Sequence, residues 1–134
     1  MEVKAIGEMF GLFSTCSIAQ GEIVLKIEGH IVSQPSRTTI QIGPSMHVEV
    51  ESPGKFINHS CSPNAELLQI TEFTLGLLAL CNIEPGTELN FDYQWPALHW
   101  IPRCLCGAPV CRGWVVDENE VKAMKKLAKK NKAR

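Results

Sequence analysis

Long apolar runs are missing from this sequence: nowhere do about 18 or more apolar residues follow one another, so no membrane-spanning helix is encoded. The start, MEVKAIGEMF, lacks the basic-then-apolar layout of a secretion signal. A soluble, intracellular chain, cytoplasmic or nuclear rather than secreted, is the resulting expectation. No internal repeat or low-complexity tract precedes the tail, and the strand–helix–strand rhythm of a parallel sheet is absent too, which argues against an α/β fold. Tyrosine occurs once, as Tyr93.

What is present fits one domain with one core, given 134 residues of which 45% are hydrophobic. Six cysteines could form disulfides. With no secretion signal, a reducing compartment is the better assumption, and metal ligation outranks cross-linking. Charge is unevenly placed. Residues 1–116 carry 6 Lys and Arg against 11 Asp and Glu, a net of −5, whereas residues 117–134 carry 7 against 3, a net of +4. An acidic body is a poor match to a nucleic-acid face spread over the fold and a better one to a basic peptide partner, although a mildly acidic surface is also ordinary for a cytosolic protein.

Taken in order, GEMFGLF with Gly7 and Gly11 reads as a hairpin turn or as a loop that approaches a ligand closely. Residues 23–32 (IVLKIEGHIV) read as strands with a bend or bulge at Gly29. A loop with a short strand at 39–42 and a further strand at 46–50 come next. Residues 65–81 fit helical spacing in part, but Thr71, Thr74 and Gly76 favour two strands with a turn near Thr71 and Glu72. A last strand is expected at 87–93. Asp117 with Glu120 three residues on predicts the start of an amphipathic helix carrying Val121, Met124, Leu127 and Ala128, its end KKNKAR frayed and solvated. The expected class is mainly β.

Two stretches carry chemistry. In residues 55–64, KFINHSCSPN, Phe56 and Ile57 anchor a dense polar cluster of Asn58, His59, Ser60, Cys61 and Asn64. Buried polar groups need partners, so such a cluster points to a ligand, a metal or a hydrogen-bonded network. In residues 104–111, CLCGAPVC, three thiols in a C-x-C-x4-C pattern suit a structural, tetrahedral Zn²⁺ that takes a fourth Cys or His from elsewhere. Cys16, Cys61, Cys81, His59 and His99 are the candidates. Cys16 and Cys81 read as buried core thiols, which leaves Cys61, already within the polar cluster, as the preferred fourth ligand.

FINHSCSPN, then ELNFDY at 88–93, then CLCGAPVCRG, in that order, resemble the core of SET-domain protein-lysine methyltransferases with a cysteine-rich post-SET segment, over roughly residues 3 to 114. The resemblance implies small curled β-sheets in which the two central segments form a pseudoknot. It divides the chain into a SET portion at 1–100, a zinc-bound post-SET segment at 101–116 and a basic C-terminal helix at 117–134. It further implies that Met9, Phe10, Gly11, Asn58, His59, Tyr93 and Leu105 bind S-adenosylmethionine, that Tyr93 is catalytic, and that Cys61, Cys104, Cys106 and Cys111 hold zinc. Phe91 would set how many methyl groups are added, favouring more than one, and Trp95 and Trp100 would wall the lysine channel, burial in the core being an equal reading of both. The chain departs from the family at Met9, where a further Gly is common, and at Lys55, where Arg is common.

The implied substrate is a lysine-containing basic protein or peptide, a histone-like protein among the candidates. The rival reading is a non-catalytic zinc-stabilised module that binds a basic peptide or another protein; retention of both Asn58 and Tyr93 favours the enzyme. Nucleic acid is a third partner class, through Lys122 and the basic residues after it, but a solvated helix is the default there. No membrane partner is expected.

Overall fold

The computed structural model describes residues 1–43, 46–71 and 74–132. Its element order is β1 (Glu2–Ile6), β2 (Met9–Phe13), β3 (Ile23–Ile27), β4 (Gly29–Val32), β5 (Thr39–Gly43), β6 (Met46–Val50), β7 (Asn58–His59), β8 (Ala65–Gln69), β9 (Leu75–Ala79), β10 (Asn90–Phe91) and one α-helix, α1 (Val121–Lys132). The strands make small sheets: β1 with β2, β3 with β9 and β8, and β4 with β6 and β5 are antiparallel, and β7 pairs with β10. The mainly β class with one C-terminal helix is therefore as expected.

Two compact units divide the chain. The first comprises Met1–Asn58 and Asn64–Asn90, the second His59–Pro63 and Phe91–Arg134. In the first, Leu12, Ile57, Leu77, Ile83 and Leu89 are almost wholly buried, each worth roughly 1.5–3 kcal/mol of burial. Alternation along β9 explains its fit: Leu75, Leu77 and Ala79 are buried, each two residues from the next. Residues 65–81 thus form two strands, as read; of the expected turn, Glu72 lies outside the described residues.

Gly29 starts β4 opposite Val50, after the one-residue break at Glu28 that separates β3 from β4 and with no bulge in its register, and a Cβ there would overlap the Glu49 carbonyl oxygen. Since that atom is backbone, relief requires the β4–β6 pair to move apart. Gly29→Ala is expected to cost about 1–3 kcal/mol, read as a drop in denaturation midpoint at unchanged m-value.

In the second unit, Cys61, Cys104 and Val115 form one buried cluster, and Ile101, Val116 and Met124 another, against which Trp95, Trp100, Val121 and Leu127 pack. The amphipathic reading of α1 holds.

Several expectations need correction. The strand foreseen at 87–93 is regular only at β10: before it Glu88 makes only an isolated bridge with Phe13, and after it His59 Nδ1 accepts the Tyr93 N–H at 3.1 Å. Gln94 then turns the chain at φ 53°, its N–H held by Asp92 Oδ1 at 3.0 Å. The helix starts differently too. Asp117 caps a short 3₁₀ turn by accepting the Asn119 N–H, and Glu120 accepts the Ala97 N–H at 3.1 Å instead of closing a capping box. Its end is not frayed through KKNKAR, since α1 runs to Lys132; Ala133 and Arg134 lie outside the described residues. Cys16 and Cys81 are exposed, not core thiols. Buried Ser14 bonds the Cys16 backbone and turns its side chain outward, while Cys81 follows the end of β9 and escapes its alternation.

Candidate active site and metal centre

The first unit builds its half of the polar motif around Asn58. Its Nδ2 donates to the Phe10 carbonyl at 2.8 Å and to Glu88 Oε2 at 2.9 Å. Both partners only accept, so the amide orientation is forced. The Asn58 oxygen, with no partner among the described residues, is the atom left to meet an incoming donor. Gly11 makes this packing possible: a Cβ there would meet Glu88 Oε2 at 2.7 Å. Gly11 lies inside β2, the hairpin turn being at Gly7 (φ 61°). On either side of this network Met9 and Phe10 are more than half exposed, and Phe10 meets Phe56 edge-on at 5.9 Å.

Asn64, the last residue of the motif, exchanges hydrogen bonds with Asn90 and donates to the Glu88 carbonyl at 2.8 Å. Glu88 and Asn64 therefore organise the motif. Reading the residues singly did not mark Glu88, although an acid thirty residues from an Asn whose amide needs acceptors was the available signal.

In the second unit Tyr93 is gripped by aromatic rings: His59 edge-on at 5.4 Å, Phe91 at 4.8 Å and Trp95 at 4.9 Å, with Trp95 backed by Trp100 at 5.0 Å. Such contacts add about 0.5–1.5 kcal/mol each beyond area and fix the tyrosine ring where no strand holds it. His59 accepts the Tyr93 N–H on Nδ1, so its proton sits on Nε2, 3.4 Å from Cys61 Sγ. Burial lowers the His59 pKa below its ordinary value; Asp92, 3.8 Å from Nδ1, pulls the other way and Arg112 assists the lowering. The ring is thus neutral at neutral pH and orients by hydrogen bonds, not charge.

The structure brings Cys61 together with Cys104, Cys106 and Cys111, the four sulfur atoms lying within 4.8 Å of one another and the Cys61–Cys104 pair at 3.8 Å. Tetrahedral Zn–S bonds of ~2.3 Å imply S···S separations of roughly 3.8 Å, so the quartet fits Zn²⁺. Further support comes from donors to Cys61 Sγ: the Arg112 N–H at 3.4 Å joins His59 Nε2, as outer hydrogen bonds to metal thiolates do. His59 and His99 stand outside the quartet. Arg112 also clamps Asp92 with both nitrogens, at 3.0 and 2.7 Å, and reaches the Val116 carbonyl at 2.9 Å. Neither Asp92 nor Arg112 stood out in the sequence. Leu105, between two of the cysteines, is 90% exposed.

The chain matches the SET domain over residues 9–94, more than half its length. It belongs to the SET-domain family. Among curated relatives it is 30% identical over 138 aligned positions to the histone-lysine N-methyltransferase ASHH1 of Arabidopsis thaliana, covering 84% of this chain and 27% of that protein. It is 43% identical over 70 positions to the histone-lysine N-methyltransferase Set2 of Drosophila melanogaster, covering 48% of this chain and 3% of that one. The chain thus spans about a quarter or less of the curated relatives it matches. Among solved structures, KRYPTONITE in complex with mCHH DNA, an H3(1-15) peptide and SAH superimposes with a TM-score of 0.72 at 25% identity, covering 84% of this chain and 29% of that one. No helix of the described residues is long and apolar enough to cross a membrane.

Proposed function

We propose that this SET-domain chain is an S-adenosylmethionine-dependent protein-lysine methyltransferase, adding more than one methyl group to a lysine of a basic, histone-like protein or peptide. The observation that carries the reading is the family match over residues 9–94, a segment that contains Asn58, His59, Phe91 and Tyr93. The proposed division is a SET portion at 1–100, a zinc segment at 101–116 and a basic helix at 117–134. A nuclear location accords with the named relatives.

The cofactor would supply an electrophilic methyl group on a sulfonium. The Asn58 oxygen, its amide nitrogen already committed to Phe10 and Glu88, accepts a hydrogen bond from the cofactor, and Met9, Phe10 and Gly11 contribute apolar and backbone contact. His59 and Leu105 are further cofactor contacts in this reading. Methyl transfer to an amine is an in-line displacement, so holding the reactants in line provides much of the acceleration. The lysine must also lose its proton. Desolvation and a nearby cation both lower an amine pKa from about 10.4, so no dedicated base is needed. The Tyr93 hydroxyl orients the amine as a fixed dipole that need not reorganise during reaction, and Trp95 walls the lysine channel.

Mass spectrometry of histone-like candidates incubated with cofactor and the zinc-loaded chain tests the proposal. Lysine adducts of one or more methyl groups are expected. No transfer to any substrate, with cofactor still bound, would favour the non-catalytic peptide-binding module.

The proposed roles divide binding from chemistry. Asn58→Ala is expected to weaken cofactor affinity about tenfold, the loss of roughly 1.4 kcal/mol, whereas Tyr93→Phe leaves affinity unchanged and lowers turnover. Calorimetric titration decides between them, and equal loss of affinity in both variants would show the division to be wrong.

Phe91 is buried, with its ring 4.8 Å from that of Tyr93. Every methyl group enlarges the amine, which must turn its lone pair back to the sulfonium before the next transfer. Phe91→Tyr would add a hydroxyl, and any water it holds, to that space. About 0.5–1.5 kcal/mol converts to roughly a tenfold fall in the ratio of second to first transfer. Intact-mass time courses on one lysine peptide measure it; an unchanged product ladder would remove Phe91 from this role.

A further inference from the structure

One face of the second unit is hollow. Where α1 passes the segment after Trp100, a cleft of about 500 Å³ opens, its floor made by Ile101, Trp114 and Met124 and its rim by Arg103, Lys125 and Lys129. Helical spacing explains the hollow: Met124 and Ala128 are four residues apart on one face, and Ala128, also in the lining, is too small to fill what Met124 leaves open. Lys125 and Lys129 follow them, one residue on, along the rim.

We propose that this cleft docks an acidic peptide segment carrying one apolar anchor. Charge complementarity fixes the sign. The three rim cations belong to no ion pair among the described residues. Three of the four acids of the same unit are occupied elsewhere: Asp92 is clamped by Arg112, Asp117 caps the 3₁₀ turn and Glu120 accepts the Ala97 N–H. None lines the cleft.

The floor fixes the rest. Arg103 lies over the Trp114 ring at 4.5 Å, and the two residues are joined by a backbone bridge. The guanidinium is thereby preorganised, and cations held on aromatic faces are favoured at binding surfaces. A phosphate backbone has no use for a floor of Ile, Trp and Met, whereas a peptide can place a Leu or Phe there and its carboxylates on the rim, the usual plan of an apolar centre with a polar border. This separates the cleft from a generic basic tail, and the inference is independent of the methyltransferase reading.

Fluorescence anisotropy of the full zinc-loaded chain with a fluorescein-labelled octapeptide, rich in Asp and Glu around a central Leu-Phe pair, tests it. Roughly micromolar binding is expected, weakened about tenfold or more by the double variant Lys125→Glu, Lys129→Glu and by replacing Leu-Phe with Ser-Ser. Lys126→Glu with Lys130→Glu changes the net charge equally from residues outside the lining, and is expected to leave binding intact. Helical circular dichroism and zinc content establish that each variant is folded.

The proposal is overturned by absent binding, or by equal weakening in both double variants, which would mean bulk charge alone. It is also overturned by a duplex oligonucleotide that binds tighter and displaces the peptide. Sedimentation showing a dimer that dissociates in the Lys125, Lys129 variant would overturn it too, by making a second copy of the acidic body the occupant.

Discussion

Cys106→Ser is expected to abolish zinc binding, order in the segment after Trp100 and activity together. Elemental analysis of the unaltered chain should give one zinc per molecule. A structural zinc in small domains contributes about 10–16 kcal/mol of apparent binding free energy at neutral pH, more than the ~2–5 kcal/mol lost when a buried Leu becomes Ala. The second unit depends on it because its first buried cluster is itself made of Cys61 and Cys104 with Val115.

Without metal Cys61 and Cys104 conflict with Cys106. Burial pushes Cys61 and Cys104 up from the ordinary 9.0. It acts the same way on Cys106, but backbone hydrogen bonds from Cys61 and Ala108 and the neighbouring thiols prevail and bring Cys106 down to about 6. The signs therefore oppose. The Cys106 contribution is present above 9 and lost as pH falls through about 6, while those of Cys61 and Cys104 are present below 9 and lost as pH rises through their raised values. Bound zinc would remove the conflict by holding every sulfur as thiolate, at the cost of releasing protons, so zinc retention should fail on acidification. Chelator should lower the melting temperature at neutral pH. Protein purified without chelator and found free of metal would refute the assignment.

How much of this could be read in the sequence varied with the kind of signal. The C-x-C-x4-C spacing announces a tetrahedral thiolate site on its own, and the polar density of KFINHSCSPN marks a network before its partners are known. Strands β8 and β9 were legible from Thr71, Thr74 and Gly76, which favour two strands over a partial helical spacing. The segment after β10 was not. ELNFDY has strand composition, but His59, remote in sequence, captures the Tyr93 backbone donor and draws it away from a ladder. Cys81, after an apolar run, and Cys16, among small residues, misled for a related reason: neighbours in sequence say nothing of where β9 ends or of a Ser14 that holds the Cys16 backbone. Asp92 and Arg112 escaped notice because charges twenty residues apart become informative only when the fold closes the distance.

That pair gives the last expectation. Arg112 touches the Cys61 sulfur through its backbone and Asp92 through its side chain, while Asp92 lies between Phe91 and Tyr93. It is thus a positioning residue linking the metal loop to the backbone that carries Tyr93. The ion pair is bidentate and mostly shielded, the side chains being 14% and 21% exposed. Asp92 raises the Arg112 pKa by hydrogen bonding, partly countered by burial, so the guanidinium is charged throughout. Removing one partner of a buried pair costs about 3–5 kcal/mol, and the residual exposure here places Arg112→Met at the low end, near ~3 kcal/mol.

Because the orphaned Asp92 carboxylate would pull the turn at Gln94 toward water, turnover is expected to fall about 100-fold while zinc content and the KM for cofactor stay close to those of the unaltered chain. Arg112→Lys keeps the charge but loses the fork and should fall between. A double-mutant cycle isolates the pair: Asp92→Asn added to Arg112→Met should cost little more than either alone, a coupling of roughly 2 kcal/mol. If zinc leaves with Arg112, the residue merely supports the metal; if the two substitutions add, Arg112 and Asp92 do not act as one device.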